Sequence, residues 1–251
     1  MMPGEAAANG GDEERTPPGQ DGCDLGLVLS SISHEIRNPL ASLKLNAQMM
    51  ARATAQGRAP REESGRLLLR AVEQLDQIAA TLSETAYIAS DRLTLTIRPL
   101  DVVALARASA TEAEATWSRP IALEAPGKPI TALGDATRVS EIIARLLANA
   151  IAHTPAGRAI TLAVRQTRGR AHIEARDEGA GIAPGDLPHI FEPFYRGASA
   201  SIHGAPAPVG LGLGLTIARG LVWRQGGEIG VDSQPGQGAT VWFTLPLAPR
   251  N

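Results

Sequence analysis

An α+β fold in two parts is predicted: a helical hairpin that pairs with a second copy into a dimeric four-helix bundle, then an α/β sandwich. Three observations predict it. Long apolar stripes with helical spacing lie on either side of "TAQGRAP". After Ser90 the pattern switches to alternating and mixed segments that read in turn as strands and helices. The chain has 251 residues, 43% of them apolar, which is enough for one or two domains with a real core. Only 3% is aromatic, so aliphatic side chains and alanine must fill that core.

Residues 1–22 are rich in Gly, Pro and acids, with Arg15 the one base, and read as a disordered tail. They lack the basic start and apolar middle of a signal peptide. In 23–90 the first stripe runs Leu25, Leu29, Ile32, Ile36, Leu40, Leu43, Ala47, Met50. The second runs Leu68, Val72, Leu75, Ala79, Leu82, Ala86, Ala89, with steps alternating 4 and 3, a heptad seam. One hairpin buries both stripes poorly and two hairpins bury them well, so a homodimer is expected. Residues 91–98 are the expected hinge, and 99–251 the second domain. "RLTLTI" alternates as a strand does. "DVVALARASATEAEATW" reads as a helix with Asp101 as N-cap. "PIALEA" and "PITAL" are short strands, and "DATRVSEIIARLLANAIAHT" is an amphipathic helix ended by Pro155. "AITLAVRQT" and "RAHIEARD" form a hairpin around "RGR". "GLTIARGLVWRQ" is a helix stopped by Gly226 and Gly227. "GEIGVDS" and "ATVWFTLPL" close one mixed sheet with helices layered on it. Residues 198–209 form a long low-complexity loop.

The formal net charge of −2 makes no electrostatic case for nucleic acid or an anionic membrane. Cys23 is the sole cysteine, so no internal disulfide or thiolate cluster forms. No apolar run of about 18 residues suggests a membrane span. A soluble cytoplasmic protein is the simplest reading.

The chemistry concentrates in a few short segments. "SHEIRNPL", Ser33 to Leu40, sets His34 two residues from both Ile32 and Ile36, roughly opposite the buried stripe. Asn38 shares its face one turn on. Pro39 cannot donate to the Glu35 carbonyl and should bend the helix there. Three glycine clusters follow: "DEGAGI" at 177–182, "GLGLGL" at 210–215 and "GQGAT" at 236–240. The second opens a helix, so its amides and dipole suit phosphate. No Walker Gly-Lys-Ser/Thr appears, and the glycines do not follow the first strand of a βαβ unit.

"SHEIRNPL", "LLANAIAHTP", "DEGAGI", "FEPFYRG", "GLGLGLTIARGL" and "GQGATVWFTLP" occur in that order. Together they resemble the H, N, G1, F, G2 and G3 boxes of bacterial two-component sensor histidine kinases, over roughly residues 25–247. The resemblance implies a dimerisation and histidine phosphotransfer domain followed by a catalytic ATP-binding domain. The implied activity is an autokinase that passes phosphate from His34 to an aspartate on a response-regulator receiver domain. ATP and Mg²⁺ are the implied cofactors. Glu35 would be the general base for His34. Asn149 would hold Mg²⁺ against the phosphates. Asp177 would accept from the adenine amino group, with Gly179, Gly181 and Ile182 close to the base and His153 and Thr240 beside it. Phe191 and Phe194 would anchor a lid, and Arg196 would reach the γ-phosphate. Gly210, Gly212, Leu213, Gly214 and Leu215 would cradle the phosphates. Asn38 matches a Glu-x-x-Asn/Thr pattern linked in the family to dephosphorylating the partner.

The chain departs from the family at Arg145 (usually Asn), Ala152 (often Lys or Arg) and Leu211 (usually Ser or Thr). Arg145 lies one turn before Asn149 and would supply the phosphate charge that Ala152 lacks. The alternative is a degenerate kinase acting as phosphatase or phosphotransfer scaffold. Neither a sensor nor a receiver domain is visible, so a separate sensor protein would bring the signal unless the chain is a piece of something longer. The initial methionine favours a complete small protein.

Overall fold

The computed structural model describes residues 25–59, 62–89, 94–197 and 212–249, with the side chains of 25–31, 34, 77, 81 and 84–89 outside the description. The expected tail, the whole of the long loop at 198–209, Gly210 and Leu211 therefore lie outside the described residues. The two apolar stripes become helices α1 (Leu25–Ala55) and α2 (Glu62–Ala89), packed against each other as a hairpin. Pro39 sits inside α1 and is buried. Small and polar residues line the contact between the two helices. Asn46, Ser64 and Ala71 are buried, and Asn46 Nδ2 donates to the Ser42 carbonyl at 2.9 Å. Leu40, Leu45, Met49, Leu69 and Val72 remain exposed. Leu40 and Val72 belong to the predicted stripes, and so do Ala47 and Ala79, which are also exposed. The stripes are thus only partly covered within one chain, because each helix offers its neighbour one flank and leaves the rest of the stripe outward.

The second domain consists of β1 (Arg98–Asp101), α3 (Val102–Trp117), β2 (Ala122–Glu124), β3 (Thr131–Gly134), α4 (Ala136–His153), β4 (Ile160–Thr167), β5 (Arg170–Asp177), α5 (Gly214–Arg224), β6 (Glu228–Ser233) and β7 (Ala239–Pro246). Two expectations are corrected. "RLTLTI" is not a strand over its described part: residues 94–97 are irregular and β1 begins at Arg98. A strand needs a partner, and the ladder with β3 runs only from Arg98 opposite Gly134 to Asp101 opposite Thr131. Nor is there one sheet. A five-stranded sheet of order β2-β4-β5-β7-β6 stands beside the β1-β3 ribbon. A single bridge, Ala132 to Leu247, links the ribbon to the chain just past β7.

Strand β2 runs parallel to β4 and covers only Thr161 to Ala163. The β4-β5 hairpin turns on Arg168 and Gly169, with φ of 49° and 75°. Positive φ at both central residues matches the twist of the flanking strands. Helices α3, α4 and α5 cover one face through Ala106, Ile142, Leu146, Ile217 and Leu221, against Leu162, Ile173 and Phe243. The core is aliphatic as the composition requires, with Phe243 its one fully buried aromatic residue among those described. Ile78 and Leu82 of α2 also pack on it, so the hairpin rests against this domain on the α5 side. No described helix is long and apolar enough to cross a membrane.

Carboxylates cap two of these helices. Asp101 accepts from Val103 N at 2.9 Å, as predicted. Asp135, which the sequence reading passed over, accepts at Oδ1 from Thr137 N and Arg138 N at the start of α4. Its Oδ2 accepts from Thr96 N at 2.9 Å, tying the chain between the domains to α4. Its own N–H donates to the buried Gln225 at 2.8 Å. Asp135→Ala is expected to cost about 1–2 kcal/mol, the range for losing an N-cap. Urea denaturation at constant m-value measures it, and a change of a few tenths would deny the cap its weight.

Candidate functional site

The H segment lies on α1. Ser33 and Asn38 are exposed and Glu35 is half-buried. His34 precedes Glu35 on the helix backbone, and its side chain lies outside the description. Glu35 is met from the other domain: Arg196 Nη1 donates to Glu35 Oε1 at 2.9 Å across 161 residues. Helix packing within the hairpin and the lean of α2 on α5 bring these two distant segments together.

Helix α4 carries the N segment. Its buried face (Val139, Ile142, Ile143, Leu146, Leu147, Ala150) is spaced at helical intervals and leaves Glu141, Arg145 and Asn149 on a half-buried flank. Arg145 donates to Glu141 Oε1 from Nε at 3.0 Å and Nη2 at 2.6 Å, and Arg138 donates to Glu141 Oε2. Asn149 makes no hydrogen bond with any described residue, which leaves its amide available to a ligand. His153 closes the helix. Part of it faces solvent, yet desolvation by its surroundings holds its pKa below the ordinary histidine value. Asp177 pulls the other way, and Arg196 adds a smaller push down.

Asp177 ends β5. Its Oδ1 accepts from Gly179 N at 2.8 Å and Ala239 N at 3.3 Å. Its Oδ2 has no partner among the described residues. Burial raises the carboxyl above its usual pKa, against the two backbone bonds and His153. Gly181 has a φ of 71°, and the Gln234 carbonyl fills the space a Cβ would need. Glycine is required there by protein backbone, whatever ligand lies beyond. Ile182 N donates to Ser233 Oγ at 2.9 Å, joining the 177–182 loop to β6. Thr240, half-buried, follows Ala239 on β7.

The F segment folds under α5. Phe194 has a φ of 65° and packs on the core, while Phe191 is half-buried and its carbonyl accepts from Thr216 Oγ1 at 3.0 Å. Phe194 N donates to the Gly212 carbonyl at 3.1 Å. Leu213 is 1% exposed, so it can offer a ligand only its main chain. It has no side-chain cap for α5, and among the described residues outside its own turn no atom lies within 4 Å of where a Cβ on Gly214 would stand. The first amides of α5, with Leu215 beside them, are donors that a helix start leaves without internal partners, which suits an anion. The structure thus gathers His153, Asp177, Gly179 and Arg196 at one end of α4, and Glu35 next to Arg196. Reading the sequence missed Asp135, although an acid directly before the α4 stripe was a legible capping signal.

Residues 24–91 match the His Kinase A (phospho-acceptor) domain. Residues 134–249 match the histidine kinase-, DNA gyrase B- and HSP90-like ATPase family. The sensor histidine kinase YkoH of Bacillus subtilis is 30% identical over 87% of this chain and 46% of its own length. The sensor-like histidine kinase SenX3 of Mycobacterium tuberculosis is 29% identical over 87% of this chain and 53% of its own. Full-length ShkA, solved with AMPPNP, superposes with a TM-score of 0.63 at 26% identity, over 88% of this chain and 46% of that one. ThkA, solved in complex with the response regulator protein TrrA, gives 0.68 at 20% identity, over 90% of this chain and 62% of that one, a likeness of fold. With a phospho-acceptor hairpin and an ATPase-type domain in this order, the chain belongs to the sensor histidine kinases of two-component systems. It spans about half the length of the curated relatives it matches.

Asp177→Asn keeps an acceptor for the two backbone N–H groups and removes a charge that burial disfavours. Its thermal midpoint at pH 7 is expected to equal or exceed that of the wild type. The sign follows from the raised carboxyl. The wild type is penalised above the folded-state pKa, and the gap closes as pH falls through that pKa toward the unfolded one. A variant clearly less stable at pH 7, with a gap that widens at low pH, would contradict it.

Proposed function

We propose that the chain is an ATP-dependent histidine autokinase that phosphorylates His34 and passes the phosphate to an aspartate of a response-regulator receiver domain. The observation that supports the reading is the Arg196–Glu35 contact, in which an arginine of the second domain meets the residue that follows His34 on α1. The protein groups fit a nucleotide. Asp177 Oδ2 is an unclaimed acceptor for an adenine amino group, and the first amides of α5 suit phosphate. Asn149 offers a free amide oxygen to Mg²⁺, a hard cation that usually takes few protein ligands and keeps waters. Bound ATP with Mg²⁺ supplies the phosphoryl group and neutralises its charge.

On the protein side, one ring nitrogen of His34 accepts phosphorus while Glu35 takes the proton from the other. Arg196 must leave or share Glu35 to reach a phosphate, which frees that carboxylate for the proton. Arg145 is held by Glu141 and would have to be shared in the same way. The exposed Leu40, Leu45, Met49, Leu69 and Val72 give the hairpin an apolar face for a second copy, so a homodimer is part of the reading. A cytoplasmic location completes it. The intact H segment and the free Asp177 oxygen favour a working kinase over a scaffold.

His34→Gln is expected to abolish autophosphorylation from γ-labelled ATP and leave ATP affinity nearly unchanged, because acceptor and nucleotide residues sit in separate domains. In the wild type the label should be acid-labile and base-stable. Label retained by the variant would remove His34 from its role.

Asn38 is exposed on α1 one turn from His34. Its amide both donates and accepts, so it can orient a water for attack on the partner's aspartyl phosphate without acting as a base. Asn38→Ala should lose dephosphorylation of a phosphorylated regulator and keep autophosphorylation. Equal dephosphorylation by variant and wild type would sink the idea.

A further inference from the structure

We infer that Arg119, on the loop after α3, is a positioning residue for the nucleotide site: it fixes the C-terminal end of α4 and with it the placement of Asn149 relative to Asp177. The inference rests on the kinase reading above. Arg119 follows Ser118, which caps α3 with a φ of 50° and turns the chain back toward α4. Its guanidinium donates to four main-chain carbonyls drawn from one short stretch. Nη1 reaches Thr154 at 2.6 Å and Ile151 at 3.4 Å. Nη2 reaches Pro155 at 2.6 Å and Arg158 at 3.1 Å.

Ile151 lies in the last turn of α4 and Thr154 is its C-cap, so their carbonyls are at the end a helix leaves unsatisfied and partially negative. Pro155 and Arg158 belong to the turn that leads into β4. A planar fork with fixed donor directions can hold both sets at once, whereas an ammonium is a point charge on a loose stem. The other side of this helix end is the nucleotide side. The His153 carbonyl fills the space where a Cβ on Gly179 would stand. Glu178 N donates to the Ala159 carbonyl at 3.2 Å, and Glu178 Oε2 accepts from Ala159 N at 3.1 Å. The 154–159 turn is therefore fastened to the Asp177 loop on one side and to Arg119 on the other. Arg119 makes no hydrogen bond to Asn149, His153 or Asp177, so it acts through the backbone between them.

The test is calorimetric binding of a non-hydrolysable ATP analogue with Mg²⁺ to the full chain, with steady-state autophosphorylation beside it. Arg119→Met is expected to weaken the analogue about tenfold and to raise KM for ATP with kcat within about twofold, the scale of losing a few hydrogen bonds that act on binding. Arg119→Lys should recover part of the affinity. Leu245→Val, in the core at the far end of β7, should lower the thermal midpoint and leave affinity as in the wild type. Wild-type affinity in Arg119→Met overturns the inference, and so does a loss in Leu245→Val as large as in Arg119→Met, which would make it a matter of general loosening. Should Arg119→Met fail to fold, Arg119→Lys decides, since it keeps the charge and loses the fork; undiminished affinity there overturns the inference. A wild type that binds no analogue overturns the kinase reading and this inference together.

Discussion

One carboxylate oxygen ties together the corner where β5, its glycine loop and β7 meet. Asp177 Oδ1 takes a hydrogen bond from its own loop at Gly179 and another from the start of β7 at Ala239. Those bonds join the end of β5, the glycine loop and the neighbouring strand, and they leave Oδ2 without a partner among the described residues. The arrangement is costly, because burial disfavours the charged form. It persists because two backbone donors that would otherwise go unsatisfied are used at once. Two further elements meet this corner: the end of α4 through the His153 carbonyl, and the β6-β7 turn through Gln234.

The second constraint is the meeting of the two domains. Ile78 and Leu82 of α2 join the core that α5 helps to cover, and Arg196 reaches Glu35. In the kinase reading the same arginine would also serve a phosphate, by sharing or leaving Glu35. Nearby in the same segment, Phe194 packs on the core.

Much of this was legible in the sequence. The heptad steps in 68–89 and the stripe on α4 are helical periods, and the "RGR" turn marks the β4-β5 hairpin; the alternation of "RLTLTI", short and without a partner over 94–97, did not make a strand there. The Asp101 cap was readable for a local reason. The ordered glycine segments pointed to the family, which the domain matches bear out. The misses have a shared cause. β1 starts at Arg98 because its partner β3 ends at Gly134, and separation from the main sheet is a property of pairing that no single strand displays. Arg119 gives no signal at all: four carbonyls converge on it from 32 to 39 residues away, and its loop reads as nothing but a turn before a proline. Nor does the contact of Glu35 with Arg196 follow from either segment alone.

The short strand β2 has a consequence for the solution behaviour of the protein. It covers three residues of β4, so from Val164 to Thr167 the main-chain groups on that flank have no strand beside them among the described residues. Such a border is a template on which another molecule's strand can grow. Here Arg165 stands on that stretch, bound to the buried Glu174 on the adjacent strand. Glu124, Ala125, Pro126, Lys128 and Ile130 line one groove with Ala163 to Gln166. An incoming strand would meet that segment and its charged rim before it reached the main-chain groups of β4, so the border is partly covered by the chain's own loop.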